Sequence, residues 1–296
     1  MRLSEWPFTR GEFWSEPLNA IARNGYCCGW DRGTLSYTPL MAATRSGSIS
    51  QSTGISERAE APSIQARLAQ LDWDRILQDL WNDGCALTPA VLTPKECGEL
   101  TGLYGDDSQF RSHIVMKRYR FGSGDYKYFA YPLPPIIQQL RESAYPPLAP
   151  IANAWHEALG IATRFPAALP EFLEVCAEHA QTRPTPLLLH YQAGDYNCLH
   201  QDVYGEIAFP LQLTCFLSRK DVDYTGGEFV LVEQQPRAQS RPEVIVPQQG
   251  QILIFTTRYR PAKGSRGFYR LNLRHGVSRV RSGTRFTLGL IFHDAA

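Results

Sequence analysis

From Pro184 to the C-terminus the chain is divided into short apolar runs by glycine- and proline-containing turns, and this rhythm constrains the fold more than any other feature. Candidate strands cover 185–191, 207–217, 228–234, 243–247, 251–257, 274–280 and 284–293. Several short strands with turn signals between them predict a sandwich or barrel. In the last run, Phe286, Leu288, Leu290 and Phe292 alternate with Arg285, Thr287 and Gly289. In 209–217, Phe209, Leu211, Leu213, Cys215 and Leu217 alternate with Gln212 and Thr214. Successive side chains of a strand point to opposite faces. If the apolar faces pack outward on helices or a second sheet, the polar faces line a cavity, where a site belongs.

The chain before Pro184 reads differently. Trp73, Ile76, Leu77, Leu80 and Trp81 fall on one face of a helix that ends at Asp83-Gly84. A second helix starts at Thr93, with Pro94 at its first position and Glu96 completing a capping box. Residues 113–131 predict a hairpin whose turn is Gly122-Ser123-Gly124, and helical patterns return near 133–143, 150–160 and 169–180. Helices first and strands afterwards, around one core, is an α+β arrangement. Residues 1–63 have no sustained period and are rich in Ser, Thr and Gly between 43 and 63, so they are expected to be a disordered extension. The expected organisation is a single domain over 64–296: mainly helical support plus a hairpin to 183, and the strand-rich core from 184.

With 43% hydrophobic and 20% charged residues and a net charge of +1, the composition is that of an ordinary globular protein. It favours no nucleic-acid partner through overall charge. The seven cysteines are scattered without a C-x-x-C pair, so neither a zinc knuckle nor a disulfide framework is expected. No apolar run approaches the roughly 20 residues of a membrane helix, and no signal peptide is visible. A cytoplasmic protein without membrane contact is the expectation.

The chemistry-bearing motif is Leu199-His200-Gln201-Asp202. Alternate residues of a strand share a face, so His200 and Asp202 can aim at one metal. The pair alone carries little information, but three further features support it. His275, in Arg274-His275-Gly276-Val277, can complete a set of two histidines and one carboxylate, which leaves positions on iron open for a co-substrate and dioxygen. Arg285 follows on the polar face of the last strand, where a guanidinium can hold a carboxylate bidentately. Between the histidines, Gly226 and Gly227 in the run Tyr224 to Phe229 permit a sharp turn and close backbone approach.

On these residues the region 185–293 resembles the double-stranded β-helix (jelly-roll) core of the Fe(II)/2-oxoglutarate-dependent dioxygenases. The order His200-x-Asp202, then Thr225-Gly226-Gly227-Glu228, then His275 with Arg285 ten positions later, is similar to the prolyl-4-hydroxylase-like branch. Tyr191, nine residues before the first histidine, fits the same branch. More closely, Asp125 to Pro132, Arg183 to Leu188, Gly194 to Asp202, Arg274 to Arg279 and Ile291 to Asp294 resemble a prokaryotic oxygenase family described as oxidatively demethylating damaged DNA. The resemblance covers about residues 70–296. It implies Fe(II) on His200, Asp202 and His275. It also implies 2-oxoglutarate chelating that metal and held by Arg285 with help from Tyr191 or Asn197, with dioxygen as the second co-substrate and ascorbate as an aid in vitro. It further implies alkylated single-stranded nucleic acid as a partner, with succinate, carbon dioxide and formaldehyde as products.

Other features carry two readings. Residues 258–285 contain nine Lys or Arg and no acid, with Tyr259, Phe268 and Tyr269 between them. Such a stretch can bind a phosphate backbone or be a solvated loop. The hairpin bearing Lys117, Arg118, Arg120, Lys127, Tyr128 and Tyr131 is either a substrate lid or an exposed hairpin with paired aromatics. His190 can line the cavity behind the metal ligands, His293 reads as structural, and Cys198 and Cys215 read as small packing residues. Two other functions remain open: hydroxylation of a protein or small molecule by the same metal chemistry, and a non-catalytic jelly-roll binding module.

Overall fold

The computed structural model describes residues 61–296. The expected extension over 1–63 lies outside these residues except for its last three, of which Ser63 caps the first helix. Six α-helices occur among the described residues: α1 (Ile64–Ala69), α2 (Trp73–Asp83), α3 (Pro94–Gly102), α4 (Met116–Tyr119), α5 (Pro135–Ala158) and α6 (Leu169–Glu178). The strands in chain order are β1 (Cys85–Ala90), β2 (Phe110–Val115), β3 (Gly122–Ser123), β4 (Asp125–Phe129), β5 (Leu187–Gln192), β6 (Tyr196–His200) and β7 (Leu211–Phe216), followed by β8 (Tyr224–Gly226), β9 (Phe229–Gln234), β10 (Arg241–Ile245), β11 (Gln251–Thr256), β12 (Tyr259–Gly264), β13 (Gly267–Val277) and β14 (Val280–Ile291).

All the strand pairings within the two sheets are antiparallel. One sheet runs β1-β11-β7-β14-β5-β4-β2, with β8 paired to β14; the other runs β10-β9-β13-β6-β3, with β12 paired to β13. The α+β class and the jelly-roll core are therefore as expected.

Alternation separates the two faces of the larger sheet. Leu211, Leu213 and Cys215 of β7, Leu188 of β5, and Leu288 and Leu290 of β14 join Phe209, Leu217 and Phe292 in one core with the helices. The intervening residues Gln212, Thr214, Leu187, Leu189, Tyr191, Arg285, Thr287 and Gly289 line a cavity on the opposite face. A side chain buried in the helical core stabilises by roughly 1.5–3 kcal/mol, so register is pinned by the apolar face and the cavity face follows from it.

The helix signals hold in detail. Asp72 caps α2, and Gly84 ends it in the left-handed conformation. Thr93 and Glu96 form the capping box of α3, with Pro94 inside its first turn. Two expectations are corrected. The patterns at 133–143 and 150–160 are one helix, α5, which runs through Pro146, Pro147 and Pro150. Each internal proline costs about 3 kcal/mol, but Tyr145, Leu148, Ile151 and Trp155 are buried along the same segment, and their packing outweighs local preference. The stretch 113–131 is not a simple hairpin. β2 and β4 do pair, but α4 lies between them and Gly122-Ser123 leaves to pair with β6 of the other sheet. The turn signal was correct about a break, but not about what fills it.

At the C-terminus, Arg141 of α5 reaches Asp294 and the Phe292 carbonyl, both at 2.7 Å, which holds the end of β14 against the helices. His293 is fully buried, as its structural reading requires. Its Nδ1 accepts the Phe209 N–H at 3.2 Å, so the ring must be neutral there. Burial, seconded by the Arg141 charge, lowers its pKa to about 4. A histidine whose folded pKa lies below its unfolded value contributes stability above the unfolded pKa and loses it as pH falls. Between about pH 8 and about pH 5 the loss from this residue is on the order of 2 kcal/mol, or about 4–8 °C in the unfolding midpoint of a domain this size. His293→Asn, which keeps an acceptor for Phe209, should remove that part of the acid sensitivity in thermal melts; an unchanged pH slope would refute the assignment.

Candidate metal centre and cavity

The metal-ligand candidates converge. One ligand atom from each of His200, Asp202 and His275 lies within 4.8 Å of the others. His200 ends β6, and His275 sits opposite it near the C-terminal end of β13, not at the start of a strand as expected from sequence. Asp202 is not on the strand either. The chain leaves β6 after His200, and the Asp202 N–H bonds to the Thr257 carbonyl at 3.3 Å. Strand alternation is thus not what aims the carboxylate; the loop bond to Thr257 does so.

The local hydrogen bonding fits a cation. His200 Nδ1 lies 2.8 Å from the Cys198 carbonyl, a contact that requires a proton on Nδ1. In a neutral ring so arranged Nε2 is the ligand atom, and it faces Asp202 Oδ1 at 3.5 Å, while His275 Nε2 lies 3.1 Å from Oδ2. Lone pairs turned toward a carboxylate are satisfied by a cation between them. Burial alone would raise the Asp202 pKa, but His275, His200 and the Tyr204 hydroxyl outweigh it and hold the carboxyl well below the usual range. Burial, seconded by the His200 charge, pushes His275 below the ordinary histidine value, toward the neutral ligand form. Tyr204 donates to Asp202 Oδ1 at 2.9 Å, and Phe229 stacks parallel to His275.

These groups face a cavity of about 220 Å³ between the sheets. Arg285, opposite Tyr191 in the β14–β5 register, lines it and is 1% exposed. Its guanidinium lies 5.4 Å from the Tyr191 ring and 5.8 Å from the rings of Phe216 and Tyr224. Its polar contact is with Thr287 Oγ1 at 3.5 Å, and Nε has no partner. Among the described residues no carboxylate pairs with it. An unpaired buried charge is costly unless an ion meets it, so the residue calls for an anion in the cavity. Asn197 Nδ2 reaches the Tyr191 hydroxyl at 3.4 Å. Burial raises that hydroxyl to about 12, which keeps it a donor. Gly226 has a positive φ of 71°, and a Cβ there would lie 2.3 Å from the Arg279 carbonyl. The run Tyr224 to Phe229 therefore makes the close approach its glycines suggested, and brings Tyr224 over Arg285.

A profile of the family Oxygenase-NA, described as "Oxygenase, catalysing oxidative methylation of damaged DNA", matches residues 124–295. The chain belongs to this oxygenase family. Two uncharacterized proteins from two strains of Mycobacterium tuberculosis are 50% identical over 168 residues, which is 57% of this chain and 72% of each relative. Among solved structures, a Pseudomonas putida prolyl-4-hydroxylase is similar at 11% identity and a TM-score of 0.46, covering 76% of this chain and 99% of that one. An oxidoreductase of the 2OG-Fe(II) oxygenase family from Burkholderia pseudomallei is similar at 14% identity and a TM-score of 0.45, covering 76% and 92%. Likenesses this distant carry nothing about substrate.

Several residues of this oxygenase stand elsewhere than expected. His190 does not line the cavity: it faces the helical side, 3.0 Å from Asp125 and stacked on Phe286. Cys198 is exposed, whereas Cys215 is buried in the core. In the basic stretch, Arg260 is buried against Glu233 at 3.0 Å and Arg285 is in the cavity, so these two do not join a surface patch. Lys127 is also buried, paired with Asp107. Sequence reasoning missed Tyr204, whose hydroxyl orients Asp202 and which carries no signal beyond lying two residues away. Gln212, which the alternation along 209–217 puts on the polar face, does line the cavity, with Nε2 unpartnered.

Proposed function

We propose that this oxygenase is an Fe(II)- and 2-oxoglutarate-dependent dioxygenase that demethylates alkylated bases in single-stranded nucleic acid, with the domain over 64–296 as its working unit. One observation carries the co-substrate: a fully buried arginine without an acidic partner shares a cavity with a His-Asp-His cluster suited to a cation. A dicarboxylate with a keto group answers both ends, and Fe(II) with it supplies oxidative decarboxylation coupled to insertion of one oxygen atom into a substrate C–H bond. The family description supports the nucleic-acid substrate.

His200, Asp202 and His275 would hold the iron and leave open positions for the keto acid and dioxygen. Arg285 would pair with the far carboxylate, with the Tyr191 hydroxyl and Asn197 beside it. Tyr204 fixes the Asp202 carboxylate, and the apolar walls Leu187, Leu189, Phe255 and Ile291 exclude water from the reacting centre. Oxidation of an N-methyl group gives a hydroxymethyl amine, which releases formaldehyde and the unmethylated base. A reducing cytoplasm, where iron stays ferrous, suits this chemistry.

Full-length protein with Fe(II), 2-oxoglutarate, ascorbate and methylated single-stranded DNA should release formaldehyde and succinate in equal amounts. Hydroxylation of a peptide or free amino acid, with no formaldehyde from methylated strands, would replace the repair reading with a hydroxylase. Absence of any succinate with iron bound would leave a binding module.

A further inference from the structure

Between β2 and β4 the chain makes a detour to the entrance of the cavity. Met116 anchors it with a fully buried side chain. Gly122 and Ser123 then pair with Asn197 and Tyr196 of β6, and the Phe121 carbonyl accepts the Cys198 N–H at 2.7 Å. Gly122, with φ 145°, lies so close to β6 that a Cβ would stand 2.3 Å from the Tyr196 carbonyl. The detour is thereby fixed to the strand that ends on His200.

This fixed segment presents two aromatic rings to water. Tyr119 and Phe121 are 56% and 50% exposed. Their rings are nearly parallel, 18° apart, with centroids at 5.6 Å, and Phe121 lines the cavity. Leu199 and Val203, next to His200 and Asp202 in sequence, are also exposed. Lys117, Arg118 and Arg120 are exposed beside the rings, and no Asp or Glu occurs from Arg111 to Gly124. Among the described residues none of these three cations belongs to an ion pair, and across β6 the Arg279 guanidinium lies 5.3 Å from the Tyr196 ring.

Exposed aromatic rings beside unpaired cations are what an unpaired nucleic-acid strand requires: bases stack on the rings, and phosphates meet the charges. A duplex offers no free base faces. An acidic peptide would use the cations but leave the rings without a matching group.

We propose that Tyr119 and Phe121 form a stacking platform for bases of a single-stranded nucleic acid at the cavity entrance, with Lys117, Arg118 and Arg120 on its phosphates. This rests on the nucleic-acid reading of the oxygenase.

The test is fluorescence anisotropy of the full-length protein with a labelled, unmethylated single-stranded oligodeoxynucleotide of mixed sequence. The single strand should bind more tightly than the same sequence as a duplex. Tyr119→Ala should weaken binding about tenfold, as loss of one base stack does, and Tyr119→Trp should restore it. Both variants change an exposed side chain, so melting temperatures equal to wild type verify the fold. Replacing Lys117, Arg118 and Arg120 with alanine should lower the slope of log affinity against log salt by about 2, at roughly 0.7 per phosphate contact. Wild-type affinity in Tyr119→Ala, equal binding of duplex, or displacement of the strand by an acidic peptide as readily as by unlabelled strand would overturn the platform. If the wild type releases formaldehyde from methylated strands while Tyr119→Ala binds normally, the platform alone fails. If the wild type neither binds strands nor releases formaldehyde but hydroxylates a peptide, the functional reading fails, and the platform with it.

Discussion

Asp202→Ala protein should retain no stoichiometric Fe(II) and form succinate only at background. Asp202 is 9% exposed and its carboxylate lies within 3.5 Å of both histidines, so among the described residues it is the anion at the cluster that can offset the charge of a divalent ion. Removing a partner that merely orients a ligand commonly costs about 10–100-fold in metal affinity or activity, and loss of the charged ligand itself should exceed that. Tyr204→Phe provides the internal scale: it removes only the hydrogen bond to Asp202 Oδ1 and should fall within that smaller range. Metal content after gel filtration and succinate formation are the measurements. Succinate at the wild-type rate from Asp202→Ala would end the assignment.

Arg285→Leu should raise the KM for 2-oxoglutarate steeply while leaving the fold as stable as wild type or more so. Truncating one partner of a buried charge pair costs about 2–5 kcal/mol of binding, or about 30-fold and above. For the folded protein alone the sign reverses. The guanidinium is buried without an acidic partner and with Nε unpartnered, so an apolar side chain of similar bulk relieves a desolvation cost. A purely structural arginine would show the opposite pattern, a lower melting temperature with an unchanged KM. Arg285→Lys separates charge from shape: it restores the positive charge but not the planar fork, so recovery should be partial. Added 2-oxoglutarate should raise the melting temperature of iron-loaded wild type but not of Arg285→Leu.

The parts of this molecule that were legible in the sequence are those governed by alternation and capping. β7 and β14 could be assigned face by face because one face had to be apolar, and α2 and α3 announced their ends through Asp83-Gly84 and the Thr93–Glu96 box. The illegible parts were set by distant partners. The course of α5 through three prolines depends on burial of Trp155 and its neighbours, which a local pattern does not contain. The detour over 116–123 depends on pairing with β6, more than seventy residues later. In the site, His200, Asp202, His275 and Arg285 were visible as residue types at telling intervals. The position of Asp202 off the strand, held by Thr257, was not visible, because a loop bond between segments over fifty residues apart leaves no periodic trace. His190, for which the sequence left a place in the cavity open, points away from it as register requires: Tyr191 faces inward opposite Arg285, so its neighbour must face the helices.

The alternation along β14 also bears on how such a protein can change over time. Phe286, Leu288, Leu290 and Phe292 are committed to the helical core, while Arg285, Thr287, Gly289 and Ile291 face the reacting space from the same strand. Residues that answer to folding and residues that answer to substrate are thus interleaved in sequence yet separated in space by the thickness of one sheet. A substitution at Thr287, or at Thr214, which pairs with Gly289 from β7, alters the shape offered to a substrate without removing a methylene from the core. The scaffold thereby lets the cavity wall vary without disturbing the helical packing or the register of the sheet.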